Sequence, residues 1–319
     1  MASATSTPKT GTPKTDMKDT VESAAARPAM PAALEVLHPI TWFAPMWAFG
    51  CGIASSGQSA AGKWGVIAAG VVLAGPLLTA TSQVVNDWYD RHVDAINEPD
   101  RPIPSGRLPG RTGFYLALAW SAASLALAAA IGSFVLVAAS AGLLLAWLYS
   151  APPVRLKQNG WWGNAAVGGC YEGLPWITGA AVMAGGVPDW RVFLLAFLYS
   201  AGAHGIMTLN DFKSVEGDRA MGLASLPVQL GVGPAAKLAC VVRAVPQLVV
   251  IALLLSWDRP VHAGIVVALL LAQLVLMARW LRQPRERAPW YNATGTTLYV
   301  IGMLVSAFAV GPLVAAAAP

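Results

Sequence analysis

The chain is built around apolar runs close to 20 residues long, the length that carries an α-helix across about 30 Å of hydrocarbon. A helix satisfies its own backbone hydrogen bonds, so repeated runs of this length predict an all-α fold, a polytopic membrane helical bundle. Composition agrees, since hydrophobic residues make up 56% of the 319 residues and charged ones only 12%, against about 25% in a soluble domain. A water-soluble globule is excluded. Breaks rich in charge, proline or glycine divide the apolar sequence into nine expected spans, near residues 40–57, 64–86, 112–131, 134–149, 163–184, 190–210, 234–256, 262–281 and 291–315. Residues 1–33, rich in Ser, Thr, Ala, Pro and Lys, read as a disordered cytosolic tail, and residues 34–319 as one transmembrane domain.

Of the 21 Lys and Arg residues, sixteen fall in the tail and in the connections after the second, fourth, sixth and eighth spans. Lys63, Arg191 and Arg259 fall on the opposite side, and Lys237 and Arg243 lie within the seventh span. This asymmetry predicts that the tail and those connections are cytoplasmic and that the C-terminus is outside. The net charge of +5 then reflects topology, and no nucleic acid is expected as a partner. Cys51, Cys170 and Cys240 sit in apolar runs without metal-ligand spacing, which points to neither a disulfide nor a zinc site. Trp161, Trp162, Trp190, Trp257 and Trp290 lie near span ends, as an interfacial belt requires.

Polar chemistry gathers at two helix ends on the predicted cytoplasmic side. The run N-D-W-Y-D-R-H-V-D places Asp87, Asp90 and Asp94 at spacings of three and four, on one helix face. Three like charges so placed repel, and a hard divalent cation offsets that repulsion. Mg²⁺ suits oxygen ligands one turn apart because it keeps several waters and bridges to phosphate oxygens. The alternative is a solvated acidic helix end. A second end, N-D-F-K-S-V-E-G-D-R, offers Asn210, Asp211, Glu216 and Asp218, with Asp211 and Asp218 seven residues apart and so facing the same way on a continuous helix. Each acidic end opens with an Asn-Asp pair, 124 residues apart, which hints at a duplicated four-helix unit.

If the two ends face each other, their carboxylates form a magnesium clamp for a diphosphate. Asp87, Asp90, Asp94, Asp211 and Asp218 are therefore the candidate catalytic and metal-ligating residues. Cations for phosphate oxygens stand in the same connections: Arg101 and Arg107 in N-E-P-D-R-P-I-P-S-G-R, and Arg155 and Lys157 directly after a Pro-Pro break. Asn86, Asn210 and Lys213 flank the acids and join the candidate substrate-binding set. Glu172, inside the fifth span, is expensive there and for that reason a functional candidate, lining an acceptor cavity or pairing with Arg243 or His204. His204 by itself reads as a satisfied core residue.

On these residues the sequence resembles the UbiA superfamily of intramembrane prenyltransferases, over roughly residues 35–315. Asn86, Asp87, Asp90 and Asp94 match its N-D-x-x-D-x-x-x-D motif in full, and R-P-I-P-S-G-R follows. The second motif, D-x-x-x-D in many members, is altered, with Ser214 four residues before Asp218 and Asp211 offset upstream. The same segment followed by S-L-P-V-Q-L-G, together with Y-S-A-P-P-V-R-L-K-Q-N-G-W, is similar to the chlorophyll synthase branch, and within it to the enzymes of photosynthetic bacteria.

The resemblance implies a UbiA-like prenyltransferase fold of about nine transmembrane helices and a Mg²⁺-dependent enzyme. Such an enzyme transfers a geranylgeranyl or phytyl group from its prenyl diphosphate to the propionate of (bacterio)chlorophyllide, a late step of (bacterio)chlorophyll biosynthesis. It further implies a bacterial inner membrane, an active site facing the cytoplasm, contact with membrane lipid, and pigment-assembly proteins as partners. Aromatic-ring or haem prenyltransferases of the same superfamily use the same clamp and remain alternatives. A cation-coupled transporter would instead place its binding groups near mid-membrane on broken helices.

Overall fold

The computed structural model describes residues 31–317. The tail expected over residues 1–33 lies outside the described residues except at its end, where Ala32–Glu35 forms a single helical turn. Helices follow the apolar runs: α1 (Phe43–Ser55), α2 (Trp64–Asn97), α3 (Thr112–Ile131), α4 (Ser133–Ser150), α5 (160–184), α6 (Trp190–Asp211), α7 (Val232–Ser256), α8 (Pro260–Trp280) and α9 (Pro284–Ala317). Among the described residues, seven of these, all but α1 and α5, are long and apolar enough to cross a membrane. α1 has only 13 residues, and α5 is divided by a glycine-rich π turn that carries Glu172. The expected nine crossings therefore number seven by length and composition.

Local sequence explains where these helices start, bend and stop. Gly132, alone and extended, separates α3 from α4. Asp189 begins α6 by accepting a hydrogen bond from the Arg191 backbone N–H at 2.8 Å, and Asn159 begins α5 by accepting one from the Trp161 N–H at 2.9 Å. Within α2, Pro76 has no N–H to give, and the ladder widens there to a π turn over Leu73–Thr79. The Thr79 hydroxyl donates to the Ala74 carbonyl at 2.7 Å, and the Trp120 indole donates to the Pro76 carbonyl at 3.0 Å.

Without water to drive helices together, the bundle is held by close backbone approach and by polar pairs. α1 packs on the second half of α5 through glycines: a Cβ added at Gly52 would stand 2.1 Å from the Trp176 carbonyl oxygen, and one at Gly179 would stand 2.2 Å from that of Phe49. Beneath this contact the Trp176 and Tyr199 rings stack at 5.6 Å, and Tyr199 meets Tyr299 of α9 edge-on at 5.3 Å. The Tyr299 hydroxyl donates to the Tyr199 carbonyl at 2.7 Å. Gln247 of α7 and Gln273 of α8 exchange reciprocal amide bonds of 3.2 and 2.9 Å. Gly179→Val is expected to prise α1 from α5 and cost about 1–3 kcal/mol or more, read as a lower melting temperature in detergent; an unchanged melting temperature would contradict this packing.

Candidate active site

α2 continues past its apolar part through the acidic run to Asn97, so Asp87, Asp90 and Asp94 share one helix as their spacing predicts. Asp87 is only 2% exposed and Asp94 only 8%. A buried carboxylate is costly unless paired, and each of these acids has its cation. Arg101 Nη1 donates to Asp87 Oδ1 at 3.2 Å and to Asp94 Oδ2 at 3.1 Å, while its Nε pairs with Glu98. His38 Nε2 lies 2.8 Å from the other Asp87 oxygen. Arg155 Nη2 donates to Asp90 Oδ1 at 3.0 Å, and Lys157 Nζ takes Asp90 Oδ2.

The electrostatics outside the spans follow from this pairing. Burial alone would depress the Arg101 pKa, but Asp87, Asp94 and Glu98 together hold it above its ordinary value. Burial does win at Lys157, whose pKa falls below the usual lysine value despite Asp90. Lys157 therefore holds its charge less firmly than a lysine in water.

The second acidic segment departs from the sequence expectation. α6 ends at Asp211, residues 212–214 turn, and Val215–Ala220 forms a separate short helix, so Asp211 and Asp218 do not share one helical face. Ser214 is the physical reason: its N–H and hydroxyl both approach the Asp211 carbonyl, at 3.2 and 3.3 Å, and close the turn in place of further helix. The same hydroxyl lies 3.1 Å from Asp218 Oδ2, so the two acids are linked through serine. The Asn164 amide of α5 donates to Asp211 Oδ2 at 3.4 Å and to the Thr208 hydroxyl at 3.2 Å.

Two features join the acidic segments. The basic connection after α4 is stitched to the connection after α6 by backbone bonds, from the Gly160 N–H to the Ala224 carbonyl at 2.8 Å and from the Ala224 N–H to the Gln158 carbonyl at 2.9 Å. The Asn97 amide at the end of α2 also lies 4.0 Å from the Met221 sulfur, which directly follows the short helix Val215–Ala220. The Tyr149 ring, at the end of α4, lines a small pocket with Ser82, Ala146 and Tyr171, and these last three also line a cavity of about 50 Å³ with Leu73, Ala138 and Thr178.

Other expected residues lie elsewhere. Arg107 turns away to a two-point contact with Glu35, at 2.6 and 2.9 Å, whose hydrogen bonding holds the Glu35 carboxyl below its usual pKa. Asn86 donates to Ser150 at 3.3 Å, Asn210 accepts from Asn292 of α9 at 3.4 Å, and Lys213 is exposed. Glu172 is buried in the π turn of α5 and pairs with neither expected partner. Arg243 instead bonds Thr296 at 3.2 Å and lies over the Tyr291 and Tyr299 rings, and His204 bonds the Trp161 carbonyl. His38, Asn164 and Tyr149 were not singled out by sequence. His38 has a left-handed backbone, with φ of 47°, that aims its ring at Asp87, and no motif signals that.

Among the described residues, no three His, Cys, Asp or Glu side chains are grouped closely enough to enclose a metal ion unaided. Magnesium asks for less: it is bound through one or two carboxylates plus phosphate oxygens and waters. Hard carboxylate oxygens flanked by Arg101, Arg155 and Lys157 fit that mode.

The sequence matches the model of the UbiA prenyltransferase family over residues 42–298. It is 56% identical to the bacteriochlorophyll synthase 33 kDa chain of Cereibacter sphaeroides, covering 88% of this chain and 92% of that one. It is 40% identical to the chloroplastic chlorophyll synthase of Oryza sativa, covering 86% and 76%. In fold it is similar to a UbiA homolog from Archaeoglobus fulgidus bound to GPP and Mg²⁺, with a TM-score of 0.68 at 21% identity over 86% of this chain and 99% of that one. Arg101→Gln removes the cation shared by Asp87 and Asp94. It is expected to lower the melting temperature, with a cost of about 1–3 kcal/mol for these partly screened pairs, and millimolar Mg²⁺ should recover more of the loss than it adds to wild type. Equal Mg²⁺ effects on both proteins would count against cation exchange at these acids.

Proposed function

The chain belongs to the UbiA prenyltransferase family, and from that premise we propose that the two acidic helix ends clamp the diphosphate of a long-chain prenyl donor. It is an integral membrane prenyltransferase of (bacterio)chlorophyll biosynthesis. The donor is geranylgeranyl or phytyl diphosphate and the acceptor the propionate carboxylate of (bacterio)chlorophyllide. The observation that carries the clamp is that the basic connection pairing Asp90 through Arg155 and Lys157 is joined by backbone hydrogen bonds at Gly160 and Ala224 to the connection that follows Asp211 and Asp218.

In the reaction the allylic C–O bond breaks, the diphosphate leaves with the electron pair, and an acceptor carboxylate oxygen bonds the allylic carbon to give the ester. Asp87, Asp90, Asp94, Asp211 and Asp218 would hold Mg²⁺, which supplies positive charge to the departing phosphate oxygens. Arg101, Arg155 and Lys157 neutralise buried carboxylates in the resting protein and turn to phosphate oxygens when the donor is bound. Charges placed before the bond breaks cost no reorganisation as it breaks. The acceptor is already an anion near neutral pH, so ester formation asks for positioning rather than a general base.

The connection between α2 and α3 closes the site against water. Pro99, Pro102 and Pro104 stiffen it, Ile103 is buried at its centre, and Arg107 ties it to Glu35. With the basic connections on the cytoplasmic side, the clamp opens to the cytoplasm of a bacterial inner membrane.

Asp87→Asn and Asp94→Asn are each expected to lower magnesium-dependent turnover about 10²-fold or more with the fold intact. Mass spectrometry of products from purified protein, Mg²⁺, geranylgeranyl diphosphate and a mixture of tetrapyrrole acids, aromatic acceptors and haem tests the function. Tetrapyrrole esters are expected; a prenylated aromatic ring or haem would move the chain to another branch of its family.

A further inference from the structure

α6 carries a histidine that prenyl transfer, as described, leaves unused. His204 lines an open cavity of about 640 Å³ between α5, α6 and α7, together with Trp161, Trp162, Phe197, Ser200 and Val242. That volume lies in the range of about 300–1,000 Å³ typical of small-molecule and cofactor sites. Its walls are left uncovered by the rest of the bundle, Trp162 being 67% exposed and Phe197 68%. The cavity therefore opens sideways to lipid and offers flat aromatic faces for stacking.

The chemistry of His204 narrows the occupant. Its Nε2 lies 3.2 Å from the Trp161 carbonyl oxygen. A carbonyl only accepts, so Nε2 carries the proton and Nδ1 of the neutral ring carries the lone pair. A backbone carbonyl on one ring nitrogen is the arrangement that orients histidine for a metal on the other. Among the described residues the His204 ring makes no other hydrogen bond, its backbone carbonyl accepting separately from the Thr208 hydroxyl. A single histidine cannot enclose a free cation, which takes three or four protein ligands. It can complete the coordination of a metal already held in the plane of a macrocycle, and such a plane fits an aromatic cavity.

The register along α6 ties this cavity to the candidate active site. His204, Thr208 and Asp211 stand at i, i+4 and i+7, on one face of the helix. Asp211 is thus about 10 Å further along the axis at 1.5 Å per residue. A planar ligand centred at His204 extends its edge and any acid arm toward the carboxylates.

We propose that the cavity between α5, α6 and α7 seats the macrocycle of a metallated tetrapyrrole, with His204 Nδ1 as the axial ligand to its central metal. The inference rests on the tetrapyrrole reading of the acceptor. The free acid and its ester share the recognised chemistry, since the ester tail can run out into lipid.

Titration of the purified full-length protein in detergent with chlorophyllide and with its metal-free form, followed by visible absorption, tests this. Wild type is expected to bind the metallated form at least tenfold more tightly, with resonance Raman bands of a five-coordinate metal, and His204→Leu to lose that preference. Equal affinity for the two forms in wild type, or an unchanged preference in His204→Leu, overturns it. The wild-type comparison alone decides if the variant does not fold. Binding of the acid only assigns the cavity to the acceptor; binding of the metallated ester as well assigns it to acceptor and product. Esterification by wild type without any metal preference sinks the cavity assignment alone, whereas the absence of esterification of every tetrapyrrole acid sinks the reading it rests on.

Discussion

Burial of carboxylates at the mouth of an apolar bundle is the constraint from which the site follows. Asp87 and Asp94 are almost wholly shielded, and a shielded anion needs either a proton or a cation. The chain supplies cations from connections far apart in sequence, Arg101 after α2 and Arg155 with Lys157 after α4, so the folded loops are drawn over the acids by charge. His38, ahead of α1, adds a third approach to Asp87. The connections that would cover a bound diphosphate are thus ordered by the same groups that would bind it.

The two acidic ends reach the site in different ways, and that difference has a local cause. α2 runs straight through Asp87, Asp90 and Asp94, whereas α6 stops at Asp211 because Ser214 closes a turn on its carbonyl. The first segment is a rigid ladder. The second is a helix end followed by a short helix that is stitched, through Ala224, to the basic connection carrying Lys157. On the proposed reading, an unbroken acidic helix and a jointed one would together serve a substrate that must enter, lose its diphosphate and leave.

Much of this was legible in the sequence. Apolar run length gave most helices to within a few residues, because the hydrocarbon thickness leaves little choice, while α2 runs on past 86 to Asn97 and α9 starts at Pro284 rather than near 291. The three-and-four spacing of the first acids was readable for the same reason, since a single helix fixes it. Long-range partners were not readable. Nothing in the order of residues says that Arg107 turns to Glu35 rather than to phosphate, that Arg243 rests on Tyr291 and Tyr299 rather than on Glu172, or that Asn164 donates to Asp211. The seven-residue spacing of Asp211 and Asp218 misled because a serine side chain, which no hydrophobic period records, competes for the helix end. α1 and α5 differ from the other spans, the first being short and the second interrupted at the glycines around Glu172.

The lateral cavity beside α6 extends the same logic to the acceptor side, where an apolar wall with one oriented imidazole stands two helical turns from Asp211. Donor chemistry would then occupy the helix end at Asp211 and acceptor binding the stretch around His204, two turns earlier on the same face of α6. All of it depends on the two acidic segments acting on one diphosphate. The direct measurement is an experimental structure of the protein with Mg²⁺ and an unreactive prenyl thiodiphosphate. Ions bridging that group to carboxylates from both Asp87–Asp94 and Asp211–Asp218 are the expected result; a diphosphate held by one segment, with the other turned away beyond reach of any bridging ion, would contradict the account.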